Sequence, residues 1–316
     1  MSKVVQRIDL DSMSPGTERF VKAHRYGKPG ARPKAYLQAS LHADEIPGML
    51  AAHHLIGLLD DADANIAIVR QALGETVDQI YAVGENAKLR RELMRLAYDA
   101  DIVLDLHCDD IALMHIYTTN VFWPRAQDLA AEVGAAAVLL CDDSGAASFD
   151  ETFFLPWYRL QKEVGPDYPV PAPVLTSTIE FRGQADVYDE LASQDARGLF
   201  RFLQRRGLIA GDPGPVPALK AKVTNLDACE ILRTPKAGVI AYRKREGDVV
   251  KAGDVIADIV DPLADDPKKA RIELRCQSDG PILSTRSMKA VAAGDSVVMI
   301  VGDKAMPNPT GLMLAD

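Results

Sequence analysis

The sequence predicts an α/β domain followed by a smaller all-β domain. Three observations predict it. Apolar runs at 34–41, 101–106 and 174–179 have the character of buried strands, with helical patterns standing between them. The run Ala210-Gly-Asp-Pro-Gly-Pro-Val-Pro217 excludes regular structure and reads as a linker. Beyond it, 238–260 and 280–301 each read as strand, turn, strand, with Gly-Asp at the turns and similar glycine spacing. The division expected is therefore 1–210 and 218–316.

In chain order, Glu18 to Tyr26 mixes apolar and basic residues like an edge strand, and Gly27 to Gly30 is a turn. Pro47 suits the first turn of a helix that continues from Met49 to Leu59. A second helical stretch spans Val77 to Ala100. Its Arg90, Arg91 and Arg95 read as part of a solvated amphipathic face. Residues 108–118 continue as β structure, Gln127 to Ala135 as a helix and Ala136 to Leu140 as a short strand. Cys141 to Ala172, with prolines at 166, 169 and 171, reads mostly as connection, and loops of that length are commonly lids or rims. A last helix, Asp186 to Arg206, turns Leu191, Leu199, Phe202 and Leu203 inward.

Composition narrows the function classes. Hydrophobic residues make up 47% of the 316, ample for a core, yet no run approaches the ~20 apolar residues of a membrane span. The first residues lack a long apolar segment, so a cytoplasmic location is the expectation. The net charge of -9 argues against nucleic acid or an anionic membrane as partner. Four scattered cysteines without a CxxC pattern indicate neither a disulfide framework nor a cysteine metal site.

The chemistry gathers where the apolar strands end. In open α/β sheets the loops leaving the carboxyl ends of strands form the ligand crevice. His42 and Glu45 follow the first strand, His107 closes the second and Glu180 the third. Two histidines and one glutamate with a fourth position open are the ligand set of catalytic rather than structural zinc. Each of these residues alone would be read as structural; three strand ends of one design favour the joint reading. His115, among apolar neighbours, reads as a satisfied core histidine. Cys108 alternates with His107 and so reads as packing. His53 and His54, about 100° apart around a helix, cannot both face one site and read as structural.

His42-Ala-Asp-Glu45, Asp105-Leu-His107 and Thr178-Ile-Glu180 resemble, in order, the zinc motifs of the succinylglutamate desuccinylase/aspartoacylase family, relatives of the zinc carboxypeptidases. Ala43 stands where that family usually has Gly. The resemblance runs from about residue 34 to the C-terminus. It implies a zinc-carboxypeptidase-like mixed sheet flanked by helices, one Zn2+ per chain held by His42, Glu45 and His107, and Glu180 as general base. Zinc acidifies water toward a pKa of about 7, and a nearby carboxylate can pass the proton on to the leaving nitrogen. The activity implied is a deacylase that cleaves the amide of an N-acyl amino acid or related small molecule. The family's Asn-Arg pair, which holds the substrate carboxylate, has no counterpart here. Arg182 is a candidate in its place, since its fork pairs two-pronged with carboxylates.

Other readings stand beside this one. A zinc carboxypeptidase-type peptidase shares the ligand set, and a non-catalytic metal-binding or ligand-binding protein would explain the missing Asn-Arg pair but not Glu180. The β repeat resembles the biotinyl/lipoyl barrel-sandwich, which suggests a carrier. The connection Asp261 to Ala270 is longer than a tight turn and lacks a Met-Lys pair, and Met288-Lys289 lies inside the second half, so carrier function is not expected. The partner implied is a small N-acylated molecule, with no nucleic acid or membrane and with a homo-oligomer left open.

Overall fold

The computed structural model describes residues 3–10, 18–31, 33–39, 46–60, 81–145, 148–164 and 174–306. A hairpin comes first: β1 (Lys3–Leu10) pairs antiparallel with β2 (Arg19–Tyr26), so the edge strand seen in the sequence has a partner that the sequence did not announce. The elements that follow are β3 (Ala35–Ala39), α1 (Ile46–Asp60), α2 (Glu85–Ala97), β4 (Ile102–Asp109), the short β5 (Ile111–Ala112), β6 (His115–Thr118), α3 (Trp123–Val133) and β7 (Ala137–Leu140). After them come α4 (Phe149–Val164), β8 (Leu175–Gly183), α5 (Asp189–Arg205) and β9 (Lys222–Asn225).

The six-stranded sheet has the order β3-β4-β8-β6-β7-β9. Its strands are parallel except between β8 and β6, so the sheet is mixed, and helices flank it. Side chains alternate across a strand, and each face has its own cover. Leu104 and Leu106 of β4, with Ile179 and Phe181 of β8, pack with α1, α3 and α5 into the largest core cluster. Val103 on the opposite face packs with Leu93 and Ala97 of α2 and Phe149 and Phe153 of α4.

α4 is a correction to the sequence reading, which took 141–172 as mostly connection. Ser148-Phe-Asp-Glu151 has the capping-box spacing, and Phe149 and Phe153 lie one turn apart on an inward face, with Phe154 beside them buried against Phe122. Pro156 inside the run and the prolines beyond it masked that signal.

Two contacts fix α5 on α3. Glu132, buried at the end of α3, accepts from Arg201 Nε at 2.7 Å and from Arg205 Nε at 2.6 Å. Where the helices cross, a Cβ on Gly198 would lie 2.5 Å from the backbone oxygen of Glu132. Helix propensity alone favours Gly198→Ala by about 1 kcal/mol, whereas overpacking against backbone costs about 1–3 kcal/mol. Packing should win, so Gly198→Ala is expected to lower the thermal midpoint in scanning calorimetry. A raised midpoint would refute the close crossing.

After the Gly/Pro run the chain first completes the main sheet with β9 and only then enters the all-β region. β10 (Cys229–Arg233), β11 (Gly238–Tyr242), β12 (Val249–Val250), β13 (Val255–Val260), β14 (Arg271–Arg275), β15 (Gly280–Thr285), β16 (Ala290–Val291) and β17 (Ser296–Val301) form two sheets, β10-β17-β15-β12 and β14-β13-β11-β16. They enclose a core of Ile240, Ile256, Ile259, Ile282, Val298 and Ile300. Buried Glu230 accepts the backbone N–H groups of Gln277 and Ser278, at 2.7 to 2.9 Å, and pins their turn. Lys289 lies 4.4 Å over the Tyr242 ring and donates to the Arg286 carbonyl, so it is folded onto the sandwich. Among the described residues no helix is long and apolar enough to cross a membrane.

Candidate active site

Because β3, β4 and β8 run parallel and side by side, their carboxyl ends share one edge of the sheet. His107 is paired in register with Glu180, so the two side chains stand on the same face about 4.8 Å apart along the hydrogen-bonding direction. β6 runs the other way and begins at that edge, which sets His115 opposite Glu180 on its far side. The structure thus brings together the two site residues that it describes. His42 and Glu45 lie outside the described residues. The described segments on either side of them are β3, whose last residue Ala39 pairs with Leu106, and α1 from Ile46. Among the described residues no group of three His, Cys, Asp or Glu is placed to hold a metal ion.

A polar chain backs His107. Its Nε2 lies 3.0 Å from Oδ2 of Asp105, one pleat below on the same face. Asp105 is buried, and its Oδ1 accepts from Gln38 Nε2 at 3.3 Å. Gln38 Oε1 in turn accepts from the Tyr36 hydroxyl at 3.1 Å, and burial, helped by the Asp105 charge, raises that phenol's pKa. When the imidazole is neutral, an acceptor carboxylate at Nε2 fixes the tautomer with the proton on Nε2 and the lone pair on Nδ1. The sequence reading used Asp105 only as part of a motif. Its place two residues before His107 on a strand was the signal for its orienting role.

A cavity of about 810 Å³ opens over this face. The sheet contributes Asp105, His107, Tyr117, Thr178 and Glu180; α2 contributes Leu89 and Arg90; the start of α4 contributes Phe149, Asp150 and Glu151. Arg90 borders the cavity while remaining exposed, in keeping with the solvated reading. Arg91 and Arg95 pair with Glu92 on the helix surface, at 3.5 and 2.7 Å, as that reading expected. The opposite wall belongs to the sandwich, through Arg286, Val297 and Met299. It is held there by pairing of β15 with β5, just past His107, and by a 2.5 Å bond from Ser287 Oγ to Asp110 Oδ1.

Burial pushes the Asp150 carboxyl up to about 6, with the charges of Asp105 and Glu151 adding and the Ser148 hydroxyl, 2.6 Å away, opposing. Its pKa in the folded chain exceeds that in the unfolded chain, so ionisation is penalised by folding. Stability from this group is full below about pH 4 and is lost as pH rises through 6. The loss is on the order of 3 kcal/mol. In chelator-treated protein Asp150→Asn should raise the thermal midpoint at pH 8 and leave it unchanged at pH 4. An equal change at both would remove the ionisation argument.

His115 is fully buried, as expected of a core histidine. Its Nδ1 lies 2.8 Å from the Leu113 carbonyl, among the described residues Nε2 has no partner, and burial lowers its pKa. Cys108 is buried, in keeping with a packing role, although it too borders the cavity. His54 Nε2 contacts Asp189 Oδ1 at 2.8 Å between α1 and α5, a structural use.

Arg182 is corrected. Its φ of +61° is the left-handed value rarely adopted outside glycine, and among the described residues no other non-glycine has positive φ. That turn sends its guanidinium to Asp195 of α5, in a two-pronged bridge of 3.0 and 2.6 Å. Burial raises the Asp195 carboxyl to about 6 while Arg182 opposes. Arg182 therefore anchors the strand that carries Glu180, and does not line the cavity.

No protein-family model matches the sequence, and no curated protein matches it. Solved structures do. Two proteins assigned by name to the succinylglutamate desuccinylase/aspartoacylase group superpose at a TM-score of 0.81. That from Shewanella frigidimarina NCIMB 400 is 19% identical over 95% of this chain and 97% of its own. That from Shewanella amazonensis SB2B is 20% identical over 95% and 98%. The ectoine utilization protein EutE (DoeB) of Ruegeria pomeroyi, in its apo form, matches at a TM-score of 0.71 and 17% identity over 96% of both chains. At such identities the likeness is one of architecture: from the mixed sheet to the terminal β sandwich, this chain has the fold of the succinylglutamate desuccinylase/aspartoacylase proteins.

Proposed function

We propose that the protein is a zinc-dependent deacylase that hydrolyses the amide bond of an N-acyl amino acid or a related small molecule. The observation that carries this reading is the pairing of His107 with Glu180 across two parallel strands, under one cavity, with Asp105 behind the histidine. The histidine fits a metal role on its own evidence: a buried carboxylate on one ring nitrogen is the usual support of a ligating imidazole, fixing the ring and its tautomer. His42, Glu45 and His107 would hold the ion. When bound, zinc supplies Lewis acidity that polarises a carbonyl and makes water a nucleophile near neutral pH.

The remaining steps belong to the chain. Glu180, beside His107 on the same face, takes the proton of the attacking water and delivers it to the nitrogen as the C–N bond breaks. Asp105 holds His107 in one orientation throughout. Phe149, Val297 and Met299 give the cavity apolar walls that limit water around the acyl group. The names of the similar structures point to the same chemistry. The test is hydrolysis of a panel of N-acetyl and N-succinyl amino acids, followed by amine release, with and without a chelator. Chelator-sensitive release supports the reading, and release only from peptides with a free C-terminus would favour a carboxypeptidase instead.

A further inference from the structure

Among the described residues that line the cavity, one cation is held loosely enough to meet a substrate anion. Among the described residues six carboxyl-bearing side chains line the cavity, Asp105, Asp109, Asp110, Asp150, Glu151 and Glu180, against two arginines, Arg90 and Arg286. An anionic substrate entering such a site is repelled unless a fixed positive group meets it. Arg182 is used on Asp195, and Arg90 is already engaged on an exposed helix face.

Arg286 is held differently. It follows β15 directly, and its backbone is pinned: its N–H is shared between the Val297 carbonyl at 3.2 Å and the Tyr242 hydroxyl at 3.0 Å, which itself donates to Val297 O at 2.7 Å. The guanidinium is held loosely. Nη1 reaches Ser296 O at 3.4 Å, near the limit of a hydrogen bond, and Nη2 stands 3.6 Å from Asp295 Oδ2, an oxygen that also accepts from Ala292 N at 2.9 Å. Among the described residues Nε is buried with no partner. The Arg286 side chain is still 27% exposed, so its Nη groups can offer a carboxylate charge-assisted bonds.

We propose that Arg286, contributed by the C-terminal sandwich, anchors a carboxylate of the substrate through the Nη groups of its guanidinium, taking over the work of the Asn-Arg pair that the sequence lacks. The identification of that carboxylate as the one on an N-acyl amino acid rests on the deacylase reading. The anchor makes the sandwich a specificity element, because removing the negative charge from the substrate removes its purpose.

The test compares N-acetyl and N-succinyl amino acids with the same compounds bearing a primary amide in place of the α-carboxylate. Binding is measured by calorimetry to protein carrying Glu180→Gln, which keeps the ligand intact, with Arg286 present or replaced as Arg286→Gln or Arg286→Lys. With Arg286 in place the acid should bind roughly tenfold or more tightly than the amide. Arg286→Gln should abolish that preference, and Arg286→Lys should restore only part of it because an ammonium lacks the fork. In otherwise wild-type protein, KM for the acid should rise about tenfold with kcat within about threefold, the mark of lost uniform binding. A merely structural role would weaken acid and amide alike and lower the thermal midpoint in both variants. No preference for the acid with Arg286 present, or a preference that survives Arg286→Gln, overturns the proposal. If no N-acyl amino acid is hydrolysed yet the Arg286-dependent preference is seen, the deacylase reading fails and the anchor stands.

Discussion

Glu180→Gln is expected to lower kcat by about 10²-fold or more while leaving bound zinc unchanged. The amide has nearly the volume of the carboxylate and can still accept a hydrogen bond, but it cannot take a proton, and loss of a general base commonly costs that much. Glu180 sits mid-sheet between β4 and β6, with its strand end anchored by the Arg182–Asp195 bridge, so the substitution should not disturb its neighbours. Metal analysis of the purified variant beside its initial rates checks both halves. Undiminished turnover would remove Glu180 from the chemistry.

His107→Ala should have an effect at least as large by another route. One of three proposed ligands is lost and a buried carboxylate, Asp105, is left facing the gap. Zinc content should fall from about one per chain toward zero, and chelator-sensitive activity should go with it. Asp105→Asn separates orientation from ligation. It keeps the imidazole but removes the charge that fixes its tautomer, and changes in such supporting groups typically cost about 10–100-fold in metal affinity or activity. Zinc titration against a competing chelator measures it. Full zinc retention in His107→Ala would show that the ion, if there is one, is held elsewhere.

These two expectations rest on residues that the sequence itself exposed, and the reason is periodicity. Strands buried on both faces stand out as apolar runs, so a charged or imidazole group closing such a run is conspicuous. His107 and Glu180 stand out in the sequence for that reason. Their in-register pairing does not, because neighbours in a parallel sheet are set by long-range topology. Glycine-marked turns made the terminal sandwich readable, whereas α4 was obscured by prolines. Arg182 misled because the pattern assumes a continuing strand, and a single left-handed residue reverses where a side chain points. Arg286 carried no signal at all: an arginine after a β strand is ordinary until the fold sets it against a cavity rich in carboxylates.

The strand β9 changes how the Gly/Pro run should be regarded. That run sits between two stretches of chain that are both stitched into the same sheet, since β9 pairs with β7, and the sandwich is stitched on again where β15 meets β5. A rotation about residues 210–217 would have to tear both seams, so the run is slack and not an axle. The roof above His107 and Glu180 then travels with its floor as one piece.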